Sequence, residues 1–269
     1  MHVYVIAEIA SNHDRDLQRA KDLIHQAAAA GADAAKFQFF RADSLAKSRN
    51  AQDYWQVYKD NELPEGWLPL LKEECDRVGI DFLCTAYDQE GALKVEPYVW
   101  AHKIASFEAH SRAYVGFIGG RERSVILSTG MMGMSEVWDR IALLASGESA
   151  CAYVLHCVSA YPTPYRDVNL RASLESIADI VGWDGTGLSD HTPGISVPIA
   201  AAALGARCIE KHVTDDRTRK GPDHPISIEF TQFAQMVSMI REVEEALGLG
   251  VKRPMPSEEP MMKYRAVDV

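Results

Sequence analysis

The sequence predicts a single-domain α/β protein, a closed parallel (β/α)8 TIM barrel. Short apolar runs rich in β-branched residues alternate with segments of helical period, and eight such pairs fit within 269 residues. Glycines also follow several predicted helices, at Gly31, Gly79 and Gly205, where a helix C-terminus favours a positive φ. Eight βα units in a chain of this length are typical of a closed barrel.

The predicted elements follow one another in a regular order. The strands are residues 3–9, 34–39, 81–85, 101–105, 124–128, 152–156, 185–188 and 208–211. The helices that follow them are residues 16–30, 65–78, 89–95, 111–119, 135–145, 170–181, 195–204 and 229–247. Residues 1–250 therefore form the predicted barrel, and the proline- and charge-rich residues 251–269 are expected to be an extended C-terminal tail.

Two connections are longer than a barrel requires. Residues 41–64 are polar with scattered aromatic side chains and are expected to fold partly into a short helix. Residues 159–169 contain the string Tyr161-Pro162-Thr163-Pro164. Both follow strands, so we expect them on the C-terminal face of the barrel, where active sites are built.

Composition narrows the classes of partner. The chain is 47% hydrophobic and 25% charged, as globular proteins are, and its net charge of −10 argues against nucleic acid or a basic membrane-binding surface. Its five cysteines are odd in number and lack CxxC spacing, which favours reduced thiols. We find no signal peptide pattern and no apolar run of membrane-spanning length. We therefore expect a cytoplasmic protein whose ligand is a small molecule.

Polar residues lie at the predicted C-terminal ends of the strands. Lysines are rarely buried without a partner, so lysines within barrel strands need an explanation. Three lysines and four hydroxyls together suit an anion: Lys36, Lys103, Lys211, Thr85, Ser106, Ser128 and Ser189. The string Ser128-Thr129-Gly130 before a helix suits phosphate, because a small residue lets the backbone approach the ligand. The structural alternative is that the lysines form internal salt bridges with Glu8, Glu108 and Glu210.

Two histidines come from consecutive βα units. His191 follows the seventh predicted strand and His212 ends the eighth. Two imidazoles at one edge of a parallel sheet can share a divalent metal ion. The alternative is that each histidine caps or packs a loop, but polar neighbours crowd the same strand ends: Ser189, Asp190, Glu210, Lys211 and Asp223. This density of polar residues favours a site.

Several long strings resemble the sialic acid synthase (N-acetylneuraminate synthase) family, in order from Ala7 to Glu229. They are AEIASNHDRDLQRAKDLIHQAAAAGADAAKFQ, KIASFE, LSTGM, LHCVSAYPTPYRDVNL, GLSDHTPGISVPIAAAALGA and IEKHVTDDRTRKGPDHPISIE. The resemblance implies condensation of phosphoenolpyruvate with the open-chain aldehyde of an N-acetylated amino sugar, such as N-acetylmannosamine. The products would be a nonulosonate, a 2-keto-3-deoxy sugar acid, and phosphate.

The resemblance also implies a role for each matching residue. His191 and His212 match ligands of a divalent metal, Mn2+ first, with Mg2+ or Co2+ as alternatives. Positions that hold phosphoenolpyruvate are matched by Lys36, Thr85, Lys103, Ser106, Ser128 and Ser189. Positions that contact the sugar are matched by Gln38, Tyr161 and Asp223. Glu8 and Glu108 match carboxylates near the reacting carbons, and the sequence does not separate their roles.

The implied chemistry agrees with these residue types. A metal would polarise the aldehyde so that C3 of phosphoenolpyruvate attacks it, which leaves cationic character at C2 that a carboxylate stabilises. Water then adds at C2, and the tetrahedral intermediate expels phosphate. Either Glu8 or Glu108 would handle the protons of that water.

The family also implies an antifreeze-like domain after the barrel, and the sequence stops at Val269, where that domain would begin. We therefore expect a homodimer or an antifreeze-like domain on a separate polypeptide. Two other functions stay open at this point. One is a Schiff-base aldolase that uses a lysine and needs no histidine pair. The other is a non-catalytic barrel that binds a phosphorylated metabolite.

Overall fold

The structure, a computed structural model, describes residues 2–248 and 250–266. Nine strands lie in these ranges: β1 (Tyr4–Ala10), β2 (Ala34–Phe39), β3 (Asp81–Ala86), β4 (Ala101–Ile104), β5 (Ser124–Ser128), β6 (Cys151–Cys157), β7 (Thr186–Asp190), β8 (Cys208–Thr214) and β9 (Ile228–Glu229). Strands β1 to β8 pair in parallel in chain order, and β1 also pairs with β8. This last pairing closes the barrel and confirms the predicted fold class.

Helices connect the strands on the outside of the barrel. In the described ranges they are α1 (Leu17–Ala29), α2 (Ala42–Ser48), α3 (Trp55–Asn61), α4 (Leu68–Val78), α5 (Gln89–Val95), α6 (Ser106–Ala109), α7 (Arg112–Gly119), α8 (Met134–Ala145), α9 (Leu170–Val181), α10 (Ser196–Leu204) and α11 (Phe230–Leu247). Asp16 and Ser111 cap α1 and α7 by accepting hydrogen bonds from Arg19 N and Tyr114 N. The eight predicted helices are all present.

Alternation along the strands divides the apolar side chains into two layers. One buried cluster takes one residue from each of seven strands and fills the barrel: Ile6, Ala34, Leu83, Ala101, Ile126, Leu155 and Cys208. Tyr4, Trp100 and Tyr153 pack against it, with the ring of Tyr4 edge-on to Trp100 at 5.8 Å. Side chains of opposite parity, such as Val5, Phe37 and Phe82, join the larger core shared with the helices. Each large apolar side chain buried in this way contributes roughly 1.5–3 kcal/mol.

Three of the differences from the predicted boundaries concern β8, the connection after β2 and the tail. Strand β8 runs to Thr214, three residues beyond its predicted end, because Val213 and Thr214 pair with β9. The long connection after β2 forms two helices, α2 and α3. In the predicted extended tail, Pro256–Tyr264 forms an exposed 3-10 helix, and residues 267–269 lie outside the described part.

Two further findings concern the class of protein. No helix in the described ranges is both long enough and apolar enough to cross a membrane. The five cysteines, all within the described ranges, are free thiols.

Candidate active site

The polar residues of the site point into the barrel, as the apolar residues that fill it do. They lie two residues further along their strands. Glu8 follows Ile6 by two residues, and Lys36 follows Ala34 by two, so each pair points to the same side of the sheet. Strand register then places the polar residues beside one another. The paired positions are Glu8 with Lys36, Thr85 with Lys103, and Ser189 with Glu210.

A cavity of about 400 Å³ opens at the C-terminal face above this polar layer. Its lining includes nearly all the residues predicted for the site: Glu8, Lys36, Gln38, Thr85, Lys103, Ser106, Ser128, Tyr161, Ser189, His191, His212 and Asp223. We call it the reaction cavity. Two predicted residues do not line it: Glu108 lines a neighbouring cavity instead, and Lys211 lines neither cavity.

Lys36 lies at the centre of a buried polar cluster. Its Nζ is 2.7 Å from Glu8 Oε2 and donates to Thr85 Oγ1 at 3.0 Å. Gln38 Nε2 donates to the other oxygen of Glu8 at 2.9 Å. Glu210 Oε1 is 3.6 Å from the Lys36 amine. The lysine is therefore satisfied by carboxylates, and it is also placed to hold an anion that enters the cavity.

Lys103 forms the second cationic point of the reaction cavity. Its Nζ donates to Ser128 Oγ at 2.8 Å and lies 3.7 Å from Glu210 Oε1. Ser189 Oγ donates to the same Glu210 oxygen at 3.3 Å. Glu210 therefore links the two lysines, as expected for the structural alternative, while both amines still line the cavity.

Burial and neighbouring charges set the protonation of this cluster in different directions. Burial raises the pKa of Glu8 to about 7, despite the opposing charge of Lys36. Burial lowers the pKa of Lys36, but Glu210 and Glu8 raise it to a net value above the ordinary one. Burial lowers the pKa of Lys103, and Glu210 offsets this only in part. Glu8 thus titrates near neutral pH, where a general acid or base works best.

Close approach of the backbone occurs at Gly130. Its N–H donates to Ser106 Oγ at 3.0 Å. A Cβ at this position would lie 2.7 Å from Ser106 Oγ and closer still to Ser159 Oγ, so a larger residue would displace both hydroxyls. Ser159 Oγ is buried and has no hydrogen-bond partner among the described residues. This unpaired hydroxyl and the glycine fit the predicted anion site.

The two histidines meet at the edge of the reaction cavity. Their ring centres are 5.6 Å apart, and a His nitrogen binds Zn2+ at about 2.0–2.1 Å, so both rings can reach one divalent ion of similar size. His191 Nδ1 is 3.0 Å from the carbonyl oxygen of Val158, which makes it the N–H donor and leaves Nε2 as the acceptor. His212 Nδ1 is buried without a partner among the described residues.

Protonation of the two rings differs. Burial lowers the pKa of His212 to about 4, so the ring is neutral at pH 7, which is the metal-binding form. Burial also lowers the pKa of His191, but Cys157 and the Val158 carbonyl reverse the direction to a net rise. In the described part of the chain, no three His, Cys, Asp or Glu side chains are grouped to hold a metal. An ion here would therefore have these two protein ligands, with solvent or substrate completing its coordination.

Tyr161 and Asp223 complete the rim. The Tyr161 ring lies 4.2 Å from the ring of His191 and is 44% exposed, so part of it is available to a ligand. Asp223 Oδ2 accepts hydrogen bonds from Ser11 Oγ at 2.5 Å and Ser11 N at 3.1 Å. Both residues lie in loops beside the histidines, where we expected contacts to the sugar.

Lys211 is not part of the anion site, so that prediction is wrong. Its Nζ contacts Asp190 Oδ2 at 2.5 Å and donates to the Thr192 carbonyl oxygen at 2.5 Å. The reason is strand alternation: Glu210 and His212 face the barrel interior, and Lys211 between them faces the helices. The Lys211–Asp190 pair joins β8 to the start of the loop that carries His191.

The cavity also contains residues that the sequence analysis left out of the predicted site. Glu210 and Cys157 face inward, and counting by two along their strands from Cys208 and Leu155 would have found them. Five others come from the segment of α2 and α3: Leu45, Arg49, Val57, Tyr58 and Asn61. No sequence motif identifies those five residues. They lie at the cavity because the long connection after β2 folds over it.

The neighbouring cavity that contains Glu108 is larger, about 840 Å³. We call it the second cavity. Arg49, Tyr58, Tyr87 and Phe107 line both cavities and so form the wall between them. Arg49 Nη2 donates to Glu108 Oε1 at 2.7 Å. Burial raises the pKa of Glu108, and the charge of Arg49 opposes this only in part.

Comparison with known proteins finds similar proteins over most of this chain. A family model described as the NeuB family matches residues 23–252. An N,N'-diacetyllegionaminic acid synthase of Legionella pneumophila is 37% identical, over 97% of this chain and 78% of that protein. A pseudaminic acid synthase of Campylobacter jejuni is 33% identical, over 92% of this chain and 76% of that protein.

A solved structure shares the whole architecture. It is the N-acetylneuraminic acid (sialic acid) synthetase from Leptospira borgpetersenii in complex with citrate, at 32% identity and a TM-score of 0.87. The match covers 98% of this chain and 92% of that chain. The barrel that carries the polar layer and the two histidines is thus a fold that this chain shares with that synthetase.

Proposed function

The chain belongs to the NeuB family, and from this we propose that it condenses phosphoenolpyruvate with the aldehyde of an N-acetylated amino sugar. The products are a sialic acid-type nonulosonate and phosphate. One observation carries the proposal: two buried lysines with their hydroxyl neighbours share a cavity with a pair of histidines. The relatives named as legionaminic, pseudaminic and sialic acid synthases support the reaction class. We further propose that it works in the cytoplasm.

Phosphoenolpyruvate binds, in this proposal, at the cationic side of the reaction cavity. Lys36 and Lys103 supply positive charge to its phosphate and carboxylate, and the nearby hydroxyls supply directed donors: Thr85, Ser106, Ser128 and Ser189. The Gly130 N–H donates to Ser106 Oγ and so orients that hydroxyl. The carboxylates that satisfy these lysines in the free protein keep the amines in place, so the anion site is formed before the ligand enters.

The sugar binds beside the histidines, with Gln38, Tyr161 and Asp223 as its proposed contacts. His191 and His212 would hold a divalent metal ion, Mn2+ as the first candidate. When bound, that ion supplies Lewis-acid polarisation of the aldehyde. The Tyr161 ring packs against His191, with 4.2 Å between the ring centres, so it lies beside the proposed position of the sugar.

Glu8 is the candidate for moving the proton of the water that adds at C2. It lines the reaction cavity, is almost fully buried, and has its pKa raised to about 7 by that burial. Lys36 at 2.7 Å orients the carboxylate and stabilises its charged form. A carboxyl group that titrates near pH 7 can accept this proton and return it to the departing phosphate.

The direct test is a panel assay. The protein is incubated with phosphoenolpyruvate, Mn2+ and a series of N-acetylated aldoses, and phosphate and 2-keto acid are measured. We expect both products in equal amounts and loss of activity with EDTA. Bound phosphoenolpyruvate without turnover across the panel would favour a non-catalytic binding protein.

A Schiff-base aldolase is the second candidate, and the lowered pKa of Lys103 favours it. Borohydride distinguishes the two reactions, because it traps an imine between a lysine and a carbonyl substrate. Covalent trapping of substrate on Lys103, together with activity in EDTA, would contradict the synthase reaction and support the aldolase reaction.

Substitution of His212 tests the proposed metal site. His212→Ala should abolish Mn2+ binding measured by calorimetry, and turnover should fall to background, because one of two protein ligands is lost. His156→Ala is the matched control, since His156 belongs to β6 but hydrogen-bonds the Val168 carbonyl oxygen outside the cavity. Equal Mn2+ affinity in the wild type and His212→Ala would show that the histidine pair is not the metal site.

A further inference from the structure

Arg49 lies in the wall between the reaction cavity and the second cavity. It follows the last residue of α2, and its guanidinium lies over two aromatic rings, 4.4 Å from the centre of Phe107 and 5.2 Å from that of Tyr87. Stacking of this kind stabilises a cation and fixes the plane of its fork. The position of Arg49 is therefore set by the wall itself.

Glu108 depends on Arg49 for its charge compensation. The two side chains form one hydrogen bond of 2.7 Å, and 8% of the Glu108 side chain is exposed. Among the described residues, Arg49 is the cation within salt-bridge distance of this carboxylate. A carboxylate buried to this degree is costly unless it is paired, so loss of Arg49 would favour the neutral acid.

The pair is incompletely satisfied. Arg49 Nε and Glu108 Oε2 are both buried, and neither has a hydrogen-bond partner among the described residues. A structural salt bridge is normally completed by further hydrogen bonds. Arg49 lines both cavities and Glu108 lines the second cavity, so a ligand that extends into the second cavity is placed to supply the missing contacts.

We propose that Arg49 is a positioning residue for the condensation, which holds Glu108 as an anion beside the wall and leaves Oε2 to accept a hydrogen bond from the sugar. This inference rests on the proposed function. Arg49 acts through Glu108, and the second cavity gives the end of the sugar remote from the aldehyde room to extend. The interaction would help to place the aldehyde against phosphoenolpyruvate.

Other groups also act on the charge of Glu108. Lys103 favours the ionised form, as Arg49 does. Two phenols face it, Tyr87 and Tyr114, and their pKa values are raised by burial and by the charge of Glu108. Neither phenol carries a charge at neutral pH, so Arg49 is the group whose removal should change the titration of Glu108 most.

Carboxyl 13C NMR tests the first half of this inference without turnover. The Glu108 signal is assigned by its loss in Glu108→Gln. In Arg49→Met, which keeps an unbranched side chain against Phe107, the midpoint of Glu108 should rise by about one pH unit. Arg49→Lys keeps the positive charge and should raise the Glu108 midpoint by less. This variant allows the midpoint to be measured if Arg49→Met folds poorly. An unchanged midpoint in these variants would overturn the inference.

Kinetics tests the second half. Arg49→Met should lower kcat roughly 10- to 100-fold with little change in KM for phosphoenolpyruvate, since the anion site is separate. The double variant with Glu108→Gln should be no slower than Glu108→Gln alone. If the fold losses in kcat of the two single variants multiply in the double variant, Arg49 does not act through Glu108.

Arg41→Met is the matched control. Arg41 lies at the other end of α2, pairs with the exposed Glu65 and stacks on Phe39, yet lines neither cavity. It should change neither kcat nor the Glu108 midpoint. A wild-type protein without turnover would overturn the proposed function and this inference with it. Normal turnover with an unchanged Glu108 midpoint would overturn this inference alone.

Discussion

At the scale of single residues, Gly130 is where one added carbon should have the largest effect. A Cβ there would lie 2.7 Å from Ser106 Oγ and nearer still to Ser159 Oγ, and Ser106 belongs to the proposed anion site. Gly130→Ala should therefore raise KM for phosphoenolpyruvate about tenfold or more, measured by initial rates of phosphate release.

Gly133 provides the control for this substitution. A Cβ at Gly133 meets only Glu136 Oε2, at 3.9 Å, and its φ of −80° suits any residue. Gly133→Ala should keep the wild-type KM. If both variants bind phosphoenolpyruvate as the wild type does, the close approach at Gly130 is not part of the anion site.

Single residues also show what the sequence could and could not reveal. Glu8, Lys36 and Lys103 were predictable, because charged residues inside apolar barrel strands need a reason to be there. Lys211 met the same criterion and was assigned to the wrong face, since it lies one residue from inward-facing Glu210. Successive side chains of a strand point to opposite faces of the sheet. Neighbours in the sequence therefore cannot be assigned to one site, because every second residue faces the other side.

At the scale of elements, the Lys211–Asp190 pair joins two strands just before the histidine of each. Both side chains are almost fully buried, and their atoms are 2.5 Å apart. Lys211→Met would leave the buried charge of Asp190 without its cation, with hydrogen bonds from Thr192 alone, so the free energy of unfolding should fall by about 3–5 kcal/mol in urea titrations.

Lys72→Met is the control for the buried pair. Lys72 forms an exposed pair with Asp76 on α4, and its loss should change the free energy of unfolding by about 0.5 kcal/mol or less. An equal loss of unfolding free energy in the two variants would mean that burial does not determine how much the Lys211–Asp190 pair stabilises the fold.

Elements were predictable to the extent that local pattern determines them. The eight βα units follow from hydrophobic period, and two of the helix starts follow from the cap residues Asp16 and Ser111. The paths of α2 and α3 were not predictable, because contacts distant in sequence place them. Examples are the hydrogen bonds from Ser44 to Asp88 and from Arg49 to Glu108.

At the scale of the whole molecule, stability should depend on pH through groups far from the site. Burial raises the pKa of Glu74, but hydrogen bonds from His25, Arg77 and Lys21 outweigh it and lower the value to about 2. A hydrogen bond from Arg121 lowers the pKa of Glu96 to about 2 as well.

Both glutamates therefore stabilise the fold at neutral pH, and this contribution should be lost as the pH falls from about 4.5 toward 2. Glu8 acts in the opposite sense: its raised pKa disfavours the fold as the pH rises from about 4.5 to about 7. Urea unfolding across this range should show a smaller acid loss in Glu74→Gln and Glu96→Gln. A pH dependence identical to that of the wild type would contradict the two assignments.

The fold as a whole was predictable because every level of the sequence agreed with it: strand period, helix period, turn glycines and polar strand ends. The division of the polar residues between two cavities was not. Glu108 was expected beside Glu8, and the wall that separates it depends on the Arg49 side chain, which comes from a connection without a motif.

The central claim is that water adds at C2 of phosphoenolpyruvate after its C3 joins an amino sugar aldehyde. The most direct measurement uses phosphoenolpyruvate labelled with 18O in the bridging C2–O–P oxygen, with mass analysis of both products. We predict labelled phosphate and unlabelled nonulosonate in equal amounts, formed only when sugar is present. Unlabelled phosphate, or phosphate released without sugar, would contradict the account.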